Sequence, residues 1–362
     1  MMNIWLTLKY HHKRKHFTLK GIFMKQLCVL ILCLFGLSII AQEVKIIPVD
    51  FNSKKTSMRG LHAIGEDAVW ASGTGGVVMR RIDSTRWKIH EDEQWNHLDF
   101  RDIHVFNKKE AIIMSSGNGC DMYKTIDGGK KWTLVFKNYM KGVFFNGMDF
   151  WDDQSGIAFS DPIDGKLFII HTSNGGKSWN TIKDMEIPKT LKGEAGFAAS
   201  GTGIVCVGDS SVYIGTGESD VARVFVSHNR GKSWGVIETS MRKGEASGIY
   251  SIAFLDEQHG VAVGGNYKDS TSTKGNCVIT DDGGLTWKVP KVAPQGYKSC
   301  VAVSTSGILI TCGRTGVDVS YDKGMTWKHV ANDGYYSCVL NTSNGGWLTG
   351  RDGKMARLVF VD

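Results

Sequence analysis

Runs of alternating apolar and polar residues, each bounded by turn-forming residues, recur along most of the chain. An apolar run is followed by a turn with Asp, Asn or Gly, and then by an alternating run that ends in Gly or Ser. Such period-2 runs predict β-strands. The copies span residues 61–73, 103–117, 148–160 and 252–265, and further copies begin near residues 193, 297 and 335. The pattern therefore predicts an all-β chain of seven similar units.

A second motif of the form Ser/Thr-x-Asp/Asn-x-Gly-x-x-Trp, an aspartate-box or BNR-type repeat, occurs five times. We call these five segments the repeat turns; they occupy residues 125–132, 172–179, 227–234, 280–287 and 320–327, and a degenerate sixth copy ends at Trp87. Successive tryptophans of the series lie 40 to 55 residues apart. A period of this length with several short strands per unit is typical of β-propellers. We predict a seven-bladed β-propeller of four-stranded antiparallel blades.

Each conserved place in a repeat turn has a structural task between two antiparallel strands. The Asp or Asn side chain accepts hydrogen bonds from backbone N–H groups of the turn. The Gly at the fifth place permits a left-handed backbone, and the Trp buries a large surface between neighbouring blades. A calcium loop is a poor alternative, because each turn supplies about one carboxylate whereas calcium takes six to eight oxygen ligands. No metal site is predicted.

The two ends of the chain are expected to meet in one blade. Residues 335–360 have room for three strands and contain no repeat turn. Residues 44–49 precede the first unit and have the pattern of a strand. We predict that this N-terminal strand is the outer strand of the last blade, because closing the ring removes exposed sheet edges.

Residues 24–42 have the composition of a secretory signal peptide: Lys25, an apolar run at 27–37 and small residues before Gln42. We predict cleavage after Ala41, with 1–41 as a leader whose part before Met24 reflects a misassigned start, and 42–362 as one propeller domain. An uncleaved anchor is the alternative, but the apolar run is shorter than the roughly 20 residues of a spanning helix. The expected location is the periplasm or the extracellular space, with no membrane span after cleavage.

Removing the leader changes the charge of the protein. It holds six of the 43 Lys and Arg residues and none of the 36 Asp and Glu residues, so 37 basic residues face 36 acidic ones in the remainder. A near-neutral chain lacks the phosphate-neutralising surface of nucleic-acid binders, and we exclude that class.

Six cysteines remain after the leader, without a CxxC pair or a haem-binding CxxCH motif. We interpret them as small buried thiols. Cys300 and Cys312 flank a short turn, so a disulfide between them in an oxidising compartment is the alternative. No complete G-x-G-x-x-G opens a helix, and we predict no cofactor.

Strand direction separates the two ends of the propeller. In a four-stranded meander the turn between the third and fourth strands lies opposite the start of the first strand and the loop between the second and third. The repeat turns are therefore structural, and binding is expected on the opposite face, where loops cluster on a rigid scaffold. Candidate binding residues on that face are Arg59, Arg101, Asn146, Asp161, Asp164, Glu194, Arg223, Asn266, Tyr267, Arg314 and Arg351, with Glu218 among further loop residues.

Four of these candidates, Arg59, Arg101, Arg314 and Arg351, are predicted to form a cationic cluster. The guanidinium fork suits a carboxylate or an acidic peptide. The alternative is that each arginine pairs with a neighbouring Asp and only solvates the rim.

The stretches SMRGLHAI, LDFRDIHVF, FFNGMDFWDDQSGIAFSDPIDGK, GEAGFAASGTG, ARVFVSHNRGKSW and GIYSIAFLDEQHGVAVGGNY resemble bacterial propellers related to the photosystem II stability/assembly factor family. The resemblance extends from about Val44 to the end of the chain. It implies a seven-bladed propeller that acts as a binding or assembly scaffold, with an arginine-rich patch that meets membrane-protein partners. We expect a monomer that binds a protein partner or a glycan opposite the repeat turns.

Two enzymatic alternatives remain. Sialidases share the motif and the propeller and need three arginines, a Tyr/Glu pair and an acidic Asp. Here Arg59 stands in Met58-Arg59-Gly60-Leu61, without the proline of the sialidase motif. Arg101, Glu194, Tyr267 and Asp161 are the residues that would complete such a site, although nothing in their spacing requires it. Some relatives carry an oxidoreductase label, which no cofactor motif supports. The residues favour a non-catalytic role.

Overall fold

The computed structural model describes residues 43–50, 56–84, 86–182, 185–342 and 345–361, and the predicted leader lies outside these ranges. After the N-terminal strand β1 (Glu43–Pro48), 25 further strands follow within this part of the chain, and the 26 strands form seven antiparallel sheets. The predicted seven-bladed β-propeller is confirmed.

The blades follow the chain in order, and each begins with its innermost strand. Blade 1 contains β2 (Met58–Ile64), β3 (Ala68–Gly73), β4 (Val78–Arg81) and β5 (Trp87–His90). Blade 2 contains β6 (Phe100–Val105), β7 (Ala111–Ser115), β8 (Cys120–Thr125) and β9 (Thr133–Asn138). Blade 3 contains β10 (Phe145–Phe150), β11 (Gly156–Ile163) and β12 (Lys166–Thr172). Blade 4 contains β13 (Ile204–Val207), β14 (Ser211–Gly215), β15 (Arg223–Ser227) and β16 (Gly235–Glu238).

The remaining blades complete the ring. Blade 5 contains β17 (Ser247–Phe254), β18 (Gly260–Asn266) and β19 (Cys277–Thr280). Blade 6 contains β20 (Cys300–Val303), β21 (Leu309–Gly313), β22 (Gly316–Ser320) and β23 (Lys328–Ala331). Blade 7 contains β24 (Ser337–Thr342), β25 (Gly345–Thr349) and β26 (Met355–Val361), with β1 as its outer strand.

The N-terminal strand closes the ring as predicted. Strand β1 pairs antiparallel with β26, so that Val44 lies opposite Phe360 and Ile46 opposite Leu358. Val44 and Ile46 also pack against the core shared by blades 6 and 7. The closing blade is thus joined by both ends of the described chain, and the edge of β26 is covered.

Blades 3 and 5 differ from the predicted four strands, because each has three. In place of a fourth strand each blade has a single β-bridge, between His171 and Asn180 in blade 3 and between Ile279 and Lys288 in blade 5. The chain then leaves the sheet and pairs in parallel with the next repeat turn, at Glu186 and at Val292. In blade 5 Pro290 lies two residues after Lys288 and explains the difference, since proline has no N–H for the strand ladder.

The first strand of blade 4 also begins later than predicted. The sequence pattern favoured a strand near residue 193, but β13 begins at Ile204. The preceding segment is rich in glycine and its backbone lies tightly against blades 2 and 3. A Cβ atom at Gly201 would lie 2.2 Å from Oδ1 of Asp102, and one at Gly196 would lie 2.7 Å from the Asn146 side chain. This loop therefore lines the interior of the ring instead of pairing as a strand.

The repeat turns have the geometry that their residues predict. In the turn at 280–287, the Gly284 N–H donates to Oγ1 of Thr280 at 2.9 Å, and the Thr286 N–H donates to Oδ1 of Asp282 at 2.9 Å. The glycines at the fifth place all have φ between 72° and 82°. The hydroxyl and carboxylate of this turn thus accept N–H groups of the turn itself.

The tryptophans of the repeat turns pack between blades. Trp234 contacts a buried cluster that includes Ile157 of blade 3 and Phe225 of blade 4. Trp327 packs likewise with Val261 of blade 5 and Leu309 of blade 6. The core of the protein is therefore a ring of interblade layers, each holding two neighbouring sheets together. Among the described residues no helix is long and apolar enough to cross a membrane.

Candidate functional site

The starts of the innermost strands lie at one end of the propeller, together with the loops between second and third strands. Met58, the first residue of β2, pairs with Gly73, the last of β3. In the same way Phe100, the first residue of β6, pairs with Ser115, the last of β7. We call this end the strand-start face. The repeat turns follow the third strands and lie at the other end.

A cavity of about 330 Å³ opens on the strand-start face. Its wall combines three arginines, four tyrosines, two phenylalanines and one glutamate. The lining residues are Arg59, Arg101, Phe144, Gly196, Phe197, Ala198, Ala199, Glu218, Tyr250, Tyr267, Tyr297, Ser299, Arg314 and Tyr336. Residues from the innermost segments of all seven blades contribute, so the cavity lies where the blades converge.

Arg59 lies at the second position of β2 and reaches into this cavity. Its guanidinium carbon lies 4.1 Å from the centre of the Tyr336 ring, and Nη1 donates to the carbonyl oxygen of Ala199 at 3.2 Å. Burial lowers the pKa of Arg59, and the neighbouring guanidinium of Arg101 lowers it further. Arginine nevertheless keeps its charge in proteins. A partly desolvated cation therefore faces the cavity.

Arg101 and Arg314 complete the cationic wall. Nε of Arg101 lies 2.7 Å from a carboxylate oxygen of Asp99, and this arginine is therefore paired. Arg314 donates from Nη1 to the carbonyl oxygen of Tyr267 at 3.2 Å and lies over the Tyr267 ring at 5.7 Å. Across the described ranges, neither Arg59 nor Arg314 has an acidic group within ion-pair distance.

Aromatic rings form the rest of the wall and fix its shape. Phe197 stacks on Tyr250 with 3.7 Å between ring centres and 15° between planes. Tyr250 meets the edge of Tyr297 at 4.8 Å. Burial raises the pKa of both phenols, so both hydroxyls stay protonated; that of Tyr250 donates to the Ala246 carbonyl oxygen at 3.0 Å. The cavity is thus rich in donors, and its main negative group is Glu218.

Glu194 and Arg223, two predicted binding residues, pair with each other below the surface. The Glu194 side chain is fully buried, and Arg223 binds both of its carboxylate oxygens. Thr216 Oγ1 and the Leu191 N–H also donate to this carboxylate, at 2.6 Å and 2.7 Å. Because every lone pair of Glu194 is engaged, it cannot serve as the proton acceptor for Tyr267 that a sialidase-like site requires. The pair is structural.

Asn146 and Asp161 lie behind the cavity and support its wall. Nδ2 of Asn146 donates to Oδ1 of Asp161 at 2.8 Å, and the Gly196 N–H donates to the same oxygen at 3.0 Å. Burial raises the pKa of Asp161. These two side chains therefore hold the segment at Gly196 in place.

Asp164, Asn266 and Arg351 do not line the cavity. Asp164 lies in the exposed turn between β11 and β12 with a φ of 51°. The Asn266 amide donates to the Glu245 carbonyl oxygen at 2.9 Å and so organises its own loop. The Arg351 side chain is 77% exposed and lies 3.4 Å from a carboxylate oxygen of Asp352. The predicted cluster of four arginines thus contains three in the cavity and one on the surface.

Several lining residues were missed in the sequence, notably Tyr250, Tyr297 and Tyr336. A signal was present, because Tyr297 and Tyr336 lie just before the innermost strands β20 and β24, near the places that Arg59 and Arg101 hold in blades 1 and 2. Comparing the same place in every repeat identifies them, whereas following charge alone does not.

The six cysteines are free in the structure, and all but the half-buried Cys206 are buried. Cys300 and Cys312 face each other across β20 and β21, as the alternative of a disulfide required, but they are thiols here. Within the described part of the chain, no group of three or more His, Cys, Asp or Glu side chains is arranged to hold a metal ion.

Comparison with known proteins gives similarity in fold. No family model matches the sequence, and no curated protein matches it. A structure of YCF48 bound to D1 peptide has a TM-score of 0.60 at 13% identity, covering 91% of this chain and 100% of that chain. YCF48 from Cyanidioschyzon merolae has a TM-score of 0.55 at 16% identity, covering 88% of this chain and 98% of that chain.

An enzyme shares the architecture as well. A catalytically inactive virginiamycin B lyase from Staphylococcus aureus, solved with quinupristin, has a TM-score of 0.53 at 10% identity and covers 88% of this chain and 100% of that chain. YCF48 is a photosystem II assembly factor, so the resemblance to that family is confirmed at the level of the fold. Propellers of one fold serve as scaffolds and as enzymes, and function must therefore be argued from the site.

Proposed function

We propose that this propeller is a non-catalytic scaffold that binds an acidic segment of a protein partner in the cavity of the strand-start face. The observation that carries this proposal is the presence of two arginines without acidic partners, Arg59 and Arg314, in one partly enclosed cavity. A carboxylate placed between them accepts charge-assisted hydrogen bonds, which are stronger than neutral ones. The phenols of Tyr297 and Tyr336 add donors of the same kind.

Two further facts support a peptide as the ligand. A similar propeller has been solved with a peptide bound, so the fold is compatible with such a partner. The cavity of about 330 Å³ is at the small end of ligand pockets, which suits one or two side chains of a segment better than a whole cofactor. The predicted signal peptide supports a partner outside the cytoplasm.

Titration with a blocked acidic peptide, acetyl-Glu-Glu-Glu-Glu-amide, tests the cavity directly. We expect Arg59→Gln and Arg314→Gln each to weaken binding about tenfold or more, since a hydrogen bond to a charged group contributes about 1.5–3 kcal/mol. Isothermal titration calorimetry measures the effect.

Arg351→Gln is the matched control, because it removes an exposed arginine outside the cavity. If this variant weakens binding as much as Arg59→Gln does, binding reflects general surface charge and the proposal fails. Co-purification from envelope fractions with wild type, Arg59→Gln and Arg351→Gln then identifies the natural partner, which should be lost only with the cavity variant.

The glycosidase alternative is tested with a fluorogenic sialoside. Because Arg223 occupies the Glu194 carboxylate, we expect no turnover above the rate of a heat-denatured sample. Turnover that Arg59→Gln abolishes would overturn the scaffold proposal.

A further inference from the structure

Glu218 introduces a negative charge into a cavity that is otherwise cationic. It lies between β14 and β15 and lines the cavity together with Arg59 and Arg314. Its side chain accepts one hydrogen bond, from the Ala246 N–H at 3.1 Å. Within the described ranges no lysine or arginine lies within ion-pair distance of it. The cavity thus holds unpaired charges of both signs.

The backbone holds Glu218 in place at some energetic cost. Glu218 has a φ of 63° and Ala246 a φ of 58°, in a region that residues other than glycine rarely adopt. The Glu218 N–H donates to the Ser247 carbonyl oxygen at 2.8 Å, and bridges from Gly217 to Ala195 and Gly248 fix the preceding residue. Such conformations persist where surrounding structure determines them, often at binding sites. The backbone geometry and the hydrogen bond from the Ala246 N–H therefore both favour the present position of the carboxylate.

The opposite charges belong to different sides of the cavity. Arg59 and Arg101 come from blades 1 and 2, Arg314 from blade 6, and Glu218 from blade 4. Tyr250 lines the same cavity, and its hydroxyl donates at 3.0 Å to the carbonyl oxygen of Ala246, the residue whose N–H binds Glu218. Charges that share a small cavity without pairing leave room for a ligand between them.

We propose that the cavity recognises a bipolar segment, in which an acidic side chain binds Arg59 and Arg314 and a neighbouring basic side chain binds Glu218. This inference rests on the proposed function and adds the partner's second charge. A purely acidic segment meets repulsion from Glu218, whereas a lysine or arginine beside the acid gains an ion pair. Aromatic faces at Phe197, Tyr250 and Tyr267 also attract a cation.

A double-mutant cycle tests the pairing. The probes are two blocked peptides, acetyl-Glu-Glu-Lys-amide and acetyl-Glu-Glu-Gln-amide, titrated against the full chain and against Glu218→Gln. Glutamine keeps an oxygen that can accept the Ala246 N–H, so the loop is expected to remain folded. We expect the lysine peptide to bind wild type about tenfold more tightly than the glutamine peptide. In Glu218→Gln the two affinities should be equal.

Asp220→Asn is the matched control, because it removes an exposed carboxylate two residues away that does not line the cavity. It should keep the full preference for lysine. Equal affinity of wild type for both peptides overturns this inference while leaving acid recognition intact. So does a Glu218→Gln variant that binds both peptides more tightly by the same factor, because Glu218 then acts only by repulsion. If neither peptide binds, or if binding ignores Arg59→Gln, the proposed function itself fails.

Discussion

The two ends of this propeller use polar residues in opposite ways. At the repeat turns the hydroxyl and the Asp or Asn side chain accept N–H groups of their own turn, as Thr280 and Asp282 do from Gly284 and Thr286. On the strand-start face Arg59 and Glu218 remain without partners of opposite charge within the described chain. The side chains that define the repeat turns therefore bind within the turn, whereas the unpaired charges on the strand-start face are available to the ligand of the proposed function.

The difference follows from how each end repeats. The repeat turns carry the same residue types in five blades, so each forms an independent unit. At the second position of the innermost strand, by contrast, β2 and β6 carry Arg59 and Arg101 whereas β10 carries Asn146. Side chains that differ between blades converge on one axis and build a single asymmetric cavity. In this propeller the repeated residues form structural turns, and the residues that differ between blades form the candidate site.

The largest effect should come from a tryptophan at the repeat-turn end. Trp234 is 8% exposed, packs between blades 3 and 4, and donates from its indole N–H to the Gly231 carbonyl oxygen at 2.9 Å. Trp234→Ala should lower the free energy of unfolding by about 4 kcal/mol, since it opens a cavity in the core. Urea unfolding measures this, with the exposed Lys232→Ala as control. An unchanged midpoint for Trp234→Ala would contradict a structural role for this end.

The comparison is sharpened by Glu194, which the sequence placed among the binding residues. Glu194→Ala leaves the Arg223 guanidinium buried without its counter-ion, which should destabilise the protein by about 3 kcal/mol. Replacing both members, in Glu194→Leu with Arg223→Met, should recover much of that loss, because no unpaired charge remains. Peptide affinity of the folded protein should not change. If Glu194→Ala lost peptide binding without losing stability, the Glu194–Arg223 pair would belong to the binding site instead.

An intermediate effect on stability is expected at Asp102. Burial raises the pKa of this carboxyl to about 7, although it accepts the N–H groups of Met148 and Ile103. The folded protein keeps a proton there that the unfolded chain releases above about pH 4, so this residue's contribution to stability falls as pH rises towards 7. Compared with Asp102→Ser, the wild type should lose about 2 kcal/mol between pH 5 and pH 7.

Serine is the suitable replacement at this position, because a serine accepts a backbone N–H of the next blade in the same way in blade 5. There Oγ of Ser251 accepts the Val301 N–H at 2.9 Å. The quantity to compare is the difference in free energy of unfolding between wild type and Asp102→Ser at each pH. Burial lowers the pKa of His62 to about 4, and this histidine adds a slope of the opposite sign in both proteins. A difference that does not vary with pH would show that Asp102 is ionised throughout.

Much of the fold could be predicted from the sequence, because the information is local and repeated. The spacing of the tryptophans and the strand pattern at 44–49 sufficed for blade number and ring closure. The predicted start of β13 was wrong, because it depends on the close packing of Gly201 against Asp102. That contact joins segments distant in the sequence, which a local pattern does not reveal. The residues of the candidate site were predicted only in part for the same reason: Glu194 and Arg223 are 29 positions apart in the sequence, which hides the fact that they form one pair.

The smallest effect on stability is expected where the effect on binding is greatest. Arg59→Gln removes a charge that Arg101 repels and burial disfavours, so the free energy of unfolding should stay within about 0.5 kcal/mol of wild type or rise slightly. The lost hydrogen bond to Ala199 and the contact with Tyr336 oppose this gain. Parallel urea unfolding and peptide titration of one sample separate the two effects. A loss of more than about 1 kcal/mol would mean that Arg59 supports the blades as Trp234 does, and the contrast between the two ends would then disappear.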